Sequence, residues 1–391
     1  MLNQQTPPSR MTSFSLRLPL AAHPSLFVSA LLLASVMLLP GCDLFGSDET
    51  SDAPSLSDTQ IAVGNGGNFS AQDGSLTIYS PAEDTSFRDD IDVAFLHLIK
   101  VIDDRLYVVD NTLADNAGRI TAFEADDRTR IGQIQNVRPP RDIAVVSDEK
   151  AYVTNLTLDE NFQPVASTVS IVNPGTFAFI DTLAVGRNPE GIEVVNGRAF
   201  VANSADRTVS VIDTGTDTIE ETVDLCTGPN EIFVDGDGEL AIVCQGSTPE
   251  VVFMNPETLA VNDRVALDGS VSSANGTQAA YYSAGAEKLF IINGSAFDQT
   301  ADSYYEVDTA TNTFTGETEL PASDRFIGIT AVAYDNVAQE LYLTRLPVNA
   351  NGGADYNSAG AAFVLDRDGV PVDTFEVGAA SSHIEVIRDA E

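Results

Sequence analysis

The 391-residue chain contains no tryptophan, three histidines, three cysteines and three lysines. Each scarcity removes a class of function. Lys100, Lys150, Lys288 and the arginines together supply 20 cations against 58 Asp and Glu, a formal net charge of −38. A nucleic acid or other polyanion is therefore excluded as a partner. Of the histidines, His23 falls in an N-terminal segment that reads as removable, which leaves His97 and His383, too few for a multi-histidine copper or iron centre. No G-x-S-x-G nucleophile elbow and no GxxxxGK phosphate loop occurs, and no cofactor is implied. An acidic surface almost free of lysine suits work in concentrated salt, where cations screen self-repulsion; general solubility is the plainer alternative.

The one long apolar run, SLFVSALLLASVMLLP from Ser25 to Pro40, follows Arg10 and Arg17 and is shorter than the roughly 20 residues of a membrane-spanning helix. It closes on Leu38-Leu39-Pro40-Gly41-Cys42. This ending resembles the lipobox of bacterial lipoproteins, with Leu39 three positions before the cysteine and small Gly41 at the scissile bond. The resemblance implies a signal peptide over 1–41, lipid attachment at Cys42 and a membrane partner through that anchor. Several acyl chains, at about 0.8 kcal/mol per buried CH₂, give stable anchoring. Residues 42–60, DLFGSDETSDAPSLSDT with its flanks, are acidic and have little to bury, and so are expected to form a disordered tether. Asp43 resembles an inner-membrane retention signal, whereas Ser47-Asp48-Glu49 resembles a surface-export signal; the chain is placed at the bacterial cell envelope with the leaflet open.

The remainder, 61–391, is repetitive. AYVTN at 151–155 has relatives at 61–65 (IAVGN), 106–111 (LYVVDN), 199–203 (AFVAN), 240–244 (LAIVC), 289–293 (LFIIN) and 341–345 (LYLTR). The spacing of roughly 40 to 55 residues is that of propeller blades. In the clearest unit PEGIEVVNG makes a strand and an Asn-Gly turn, RAFVAN its hairpin partner, TVSVIDTGT a third strand and DTIEETVDL a fourth. The second strand is apolar on both faces and must be covered on both, whereas the fourth carries Asp217, Glu220, Glu221 and Asp224 and belongs at the wet rim. These features predict an all-β, seven-bladed β-propeller of four-stranded antiparallel blades. IAVGN has no first strand before it, and SSHIEVIRD at 381–389 is a first strand with no blade after it. Their pairing would close the ring and remove a free sheet edge.

AYVTN with TVSIVNPGT, and AFVAN with TVSVIDTGT and GRNPEGI, resemble the YVTN-repeat β-propeller family, most specifically over about 138–260. The resemblance implies the fold and no common activity. Without tryptophan, the tryptophan-docking motifs of quinoprotein propellers cannot exist here.

Aligning the units on their first strands places His97, Asp142, Glu190, Glu231, Arg325 and His383 at the mouth of the central channel. A His and carboxylate ring there could hold a metal or transfer protons; the competing reading is a solvated funnel. DGDG at 235–238 and DRDG at 366–369 lie between strands and lack the spacing of a twelve-residue calcium loop, which favours turns. Cys226 and Cys244 fall at one end of one blade, where an oxidising compartment would join them, closing a span worth about 3 kcal/mol; free buried thiols are the alternative. The expected role is non-enzymatic binding or scaffolding, with an envelope protein or small ligand as partner. A metal-dependent, lactonase-like hydrolase or lyase and a surface-layer component are the alternatives.

Overall fold

The computed structural model describes residues 59–388 apart from 69, 113–116, 247, 272–276 and 295–301. The expected signal peptide, Cys42 and most of the tether lie outside the described residues. The tether was expected to reach residue 60, but Thr59 and Gln60 already belong to a strand, where they pair with Arg388 and Ile387 and Thr59 is buried.

Every described element is a strand, and the strands form seven four-stranded antiparallel sheets. We number these blades from the N-terminus. Blade one holds Thr59–Asn65, Gly74–Ser80 and Thr85–Val93, with Ser381–Arg388 as its first strand. Blades two to seven follow in sequence over 96–137, 140–187, 189–224, 229–266, 280–319 and 326–379. Within each, the strands run in chain order from the inside outwards, and the first strands of neighbouring blades touch one another around the ring.

The predicted closure is present. Ser381–Arg388 pairs antiparallel with Thr59–Asn65 in the register Thr59↔Arg388 to Gly64↔His383. The first of the described strands is thus completed by the last of them.

The core is divided into seven apolar clusters, one at each seam between adjacent blades. The second strands explain why. In blade four Ala199 and Val201 pack towards blade three while Phe200 and Ala202 pack towards blade five, all four without exposed surface. Alternation along a strand sends successive side chains to opposite faces, so a strand apolar at every position glues two seams at once. The fourth strands, such as Thr218–Asp224, are largely exposed.

The last residue of the repeat motif has its own task. Asn65, Asn155 and Asn203 are fully buried, and each Nδ2 donates to a hydroxyl on the third strand, Thr77 at 3.1 Å, Ser170 at 2.9 Å and Ser210 at 2.9 Å. Glycine on the fourth strand of the preceding blade admits two of them. A Cβ on Gly186 would lie 2.6 Å from Cγ of Asn203, and one on Gly378 would lie 2.7 Å from Cγ of Asn65. In blade five the same position is Cys244, which is disulfide-bonded to Cys226 with Cα atoms 6.2 Å apart.

Candidate functional site

The first strands carry the candidate site because they face the central channel. Four of them share a local irregularity. The register shifts between Leu96 and Leu98, Pro140 and Ile143, Pro189 and Ile192, and Pro229 and Ile232. A bulge interrupts the two-residue alternation. Adjacent residues such as Arg141 and Asp142, or Asn230 and Glu231, therefore line the same cavity, which has a volume of about 250 Å³.

Five of the six expected residues converge there: His97, Asp142, Glu190, Glu231 and His383. Arg325 does not. It is exposed, lines a separate cleft beside blade seven with Phe326 and Glu376, and its guanidinium lies 5.3 Å from the centre of the Phe326 ring. Blade seven opens with a ten-residue strand, Phe326–Asp335, whose register shifts twice, between Ile327 and Ile329 and again between Ile329 and Ala331. Aligning on its start therefore places Arg325 too far in.

The sequence reading missed Lys100, Arg141, Glu193 and Glu385, which also line the cavity. Lys100, Glu193 and Glu385 each directly follow a buried Ile of a first strand, Ile99, Ile192 and Ile384. That recurring apolar-then-charged step was the available signal.

The charges form two groups. Lys100 Nζ donates to Asp142 Oδ1 at 3.2 Å and to Glu193 Oε1 at 2.9 Å, linking blades two, three and four. Burial works against its ammonium, but the two carboxylates outweigh burial and hold the pKa above the ordinary lysine value. Asp142 also accepts from the backbone N–H groups of Ile143 at 2.7 Å and Ile192 at 3.0 Å. Nearer the mouth, Arg141 Nη2 lies 3.5 Å from Glu190 Oε1, and Arg141 Nη1 stands 3.3 and 3.4 Å from the two ring nitrogens of His97. Asn188 Nδ2 donates to Glu190 at 2.9 Å. Burial nevertheless leaves the Glu190 pKa raised against the pull of Arg141.

Glu231 and Glu385 have no such cation in contact. Glu231 accepts from the backbone N–H of Ala279 at 2.5 Å and of Ala280 at 2.9 Å, yet burial pushes its pKa up to about 8. Burial likewise pushes Glu385 up to about 8, with the Lys100 ammonium pulling the other way. The imidazoles move in the opposite sense. His383 is lowered to about 3 by burial, and His97 falls well below its usual value through burial, Arg141 and His383. Both rings are neutral at pH 7, with centroids 6.5 Å apart.

Among the described residues no three His, Cys, Asp or Glu side chains come together as a cage. DGDG and DRDG form turns, with Asp235 Oδ1 accepting from Asp237 and Glu239 N–H and Asp366 Oδ1 accepting from Asp368 and Val370 N–H.

Fold and site together define a closed seven-bladed propeller with an acid-rich central funnel. Solved structures share the fold. A quinoprotein alcohol dehydrogenase-like protein from Bacteroides thetaiotaomicron is similar at TM-score 0.63 and 10% identity, over 86% of this chain and 79% of that one. The periplasmic gluconolactonase of Pseudomonas aeruginosa is similar at 0.60 and 15%, over 84% and 99%. A protein of unknown function from Desulfotomaculum acetoxidans is similar at 0.57 and 14%, over 85% and 99%. At these identities the likeness concerns architecture alone. No family model and no curated protein matches the chain.

Proposed function

We propose that this chain is a non-enzymatic binding propeller of the YVTN-repeat kind, tethered to the bacterial cell envelope through lipid on Cys42, whose central funnel seats a small cationic ligand. One observation carries the reading. Five carboxyl groups, Asp142, Glu190, Glu193, Glu231 and Glu385, face the cavity with only two cations, Lys100 and Arg141. Both cations already have carboxylate neighbours, whereas burial keeps Glu231 and Glu385 protonated for much of the time at neutral pH. An entering cation lowers both pKa values and expels protons. A small organic ammonium suits a cavity of about 250 Å³ that is lined by Phe233, Tyr281 and Tyr282 as well as by the glutamates.

Isothermal titration calorimetry with a panel of aliphatic and quaternary ammonium ions tests this, repeated in buffers of differing ionisation enthalpy. Saturable binding with proton release is expected, and Glu385→Gln should weaken it. Anions binding as well as cations, or cations binding with no proton release, would overturn the reading.

The gathering of His97 and His383 with Glu190 and Glu231 in one cavity supports a metal-dependent, lactonase-like hydrolase as the second reading. It requires turnover of sugar lactones, bound metal in the purified protein, and loss of that turnover in His383→Ala without loss of the fold.

A further inference from the structure

The rims of three successive seams carry a repeated device. The residue that opens the second strand is Arg105 in blade two, Lys150 in blade three and Arg198 in blade four, and each reaches across to the next blade. Arg105 Nη2 lies 3.8 Å from Asp148, and Arg198 Nη1 donates to the carbonyls of Pro256 and Glu257 at 3.0 and 2.9 Å. Lys150 Nζ donates to the Thr214 carbonyl at 2.8 Å and to the Asp217 carboxylate at 2.9 Å. Each of these three seams is thereby bridged by a positive charge.

Counting back from the terminal residue of the motif, Cys244 in place of Asn155, the position of Lys150 in blade five is Glu239. It too reaches the next blade, where its Oε2 accepts from Asn312 Nδ2 at 3.1 Å. The turn it meets, Asp308 to Asn312, repeats the turn Asp213 to Asp217 that receives Lys150, including the left-handed backbone at Asn312 (φ 51°) and Asp217 (φ 55°). The receiving surface is therefore retained while the cation has become an acid.

The surroundings show the consequence. Asp235 is 6% exposed and its Oδ2 has no hydrogen-bond partner among the described residues. Thr309, equivalent to Thr214, is 3% exposed with an unpartnered Oγ1, and Asn312 Oδ1 is also buried and unpartnered. The Tyr282 hydroxyl lies beside Thr309 and Gly236 without a well-formed hydrogen bond to either. Glu287 approaches from blade six, its Oε1 3.0 Å from where a Cβ on Gly236 would stand. Among the described residues no lysine or arginine forms an ion pair with Asp235, Glu239 or Glu287. Burial of several uncompensated oxygens costs stability unless a partner arrives.

We propose that the rim of the seam between blades five and six binds a hard, oxygen-preferring cation of the calcium class, at the place that the Lys150 ammonium occupies between blades three and four. Asp235 and Glu239 supply its charge, and Thr309, Asn312 and Tyr282 offer neutral oxygens, a donor set that suits a hard cation. The cation bridges blades five and six as the basic side chains bridge the earlier seams. The site is separate from the two carboxyls that carry the funnel reading, and does not depend on it.

Thermal melting of the mature chain in calcium chloride and in potassium chloride of equal ionic strength tests this, with Asp235→Asn and Glu239→Lys alongside. Wild type should melt higher in calcium. Both variants should lose that difference, and Glu239→Lys, which restores the bridging ammonium, should melt above wild type when calcium is absent. Magnesium serves as the comparison for size selectivity and should give the smaller shift. An absent calcium effect in wild type, or one that survives in either folded variant, would show that calcium acts only on the general acidic surface.

Discussion

The closing strand offers the sharpest test of the architecture. Ile384 and Ile387 lie on Ser381–Arg388, with 0% and 2% of their surface exposed. They serve different seams. Ile384 packs with Ile61, Val63, Ala331 and Val377 between blades seven and one, whereas Ile387 packs with Ala62, Leu76, Leu106 and Val108 between blades one and two. Truncating a buried isoleucine to alanine removes its transfer energy and leaves a cavity, about 2 to 5 kcal/mol in all. Because the two face opposite clusters, their costs should add with little coupling. Ile384→Ala with Ile387→Ala then removes about 4 to 10 kcal/mol, against a domain stability on the order of 5 to 15 kcal/mol. Ile384→Val, a milder cut, should cost about 1 kcal/mol. Urea denaturation at fixed salt, followed by tyrosine fluorescence and far-ultraviolet circular dichroism, measures the series. Midpoints that match wild type in both alanine variants, or a 381–391 deletion that melts unchanged, would refute the closed ring.

Other measurements probe other links. Mass spectrometry of the unreduced chain should show the two-dalton deficit of a Cys226–Cys244 bond, and Cys226→Ser with Cys244→Ser should lower stability by about 3 kcal/mol. Glu231 and Glu385, raised to about 8, keep protons that the unfolded chain releases near 4.5, so their contribution to stability falls as pH rises between those values. His383, lowered to about 3, adds stability as pH rises only up to its ordinary 6.5. Melting temperature should therefore decline between about pH 6.5 and 8, and Glu231→Gln with Glu385→Gln should flatten that decline. Lys100→Met strands Asp142 and Glu193 and should cost about 3 kcal/mol in denaturant titrations, part of it recovered by adding Glu193→Gln.

The fold was legible because its signal is repeated and redundant. AYVTN and its six relatives all became second strands, and IAVGN and SSHIEVIRD, each unmatched in its own unit, became partners. The site was legible only in part. His97, Asp142, Glu190, Glu231 and His383 were found because repeat alignment locates channel-facing ends. Arg141 was missed because the bulge before Ile143 turns two successive residues to one side, against the alternation that a sequence reader assumes. Arg325 was misplaced because two register shifts within one strand uncouple its start from its depth in the funnel. Lys100, Glu193 and Glu385, each following a buried Ile of a first strand, were missed because alignment on strand starts looks no further along the strand.

The order of the strands fixes when the ring can lock. The first blade waits for Ser381–Arg388, the last of the described strands. Until Ser381–Arg388 arrives, the backbone of Thr59–Asn65 has one side without its mate, and blades one and seven cannot be sealed by Ile384. Without that strand the ring stays open, and its bare edge invites self-association.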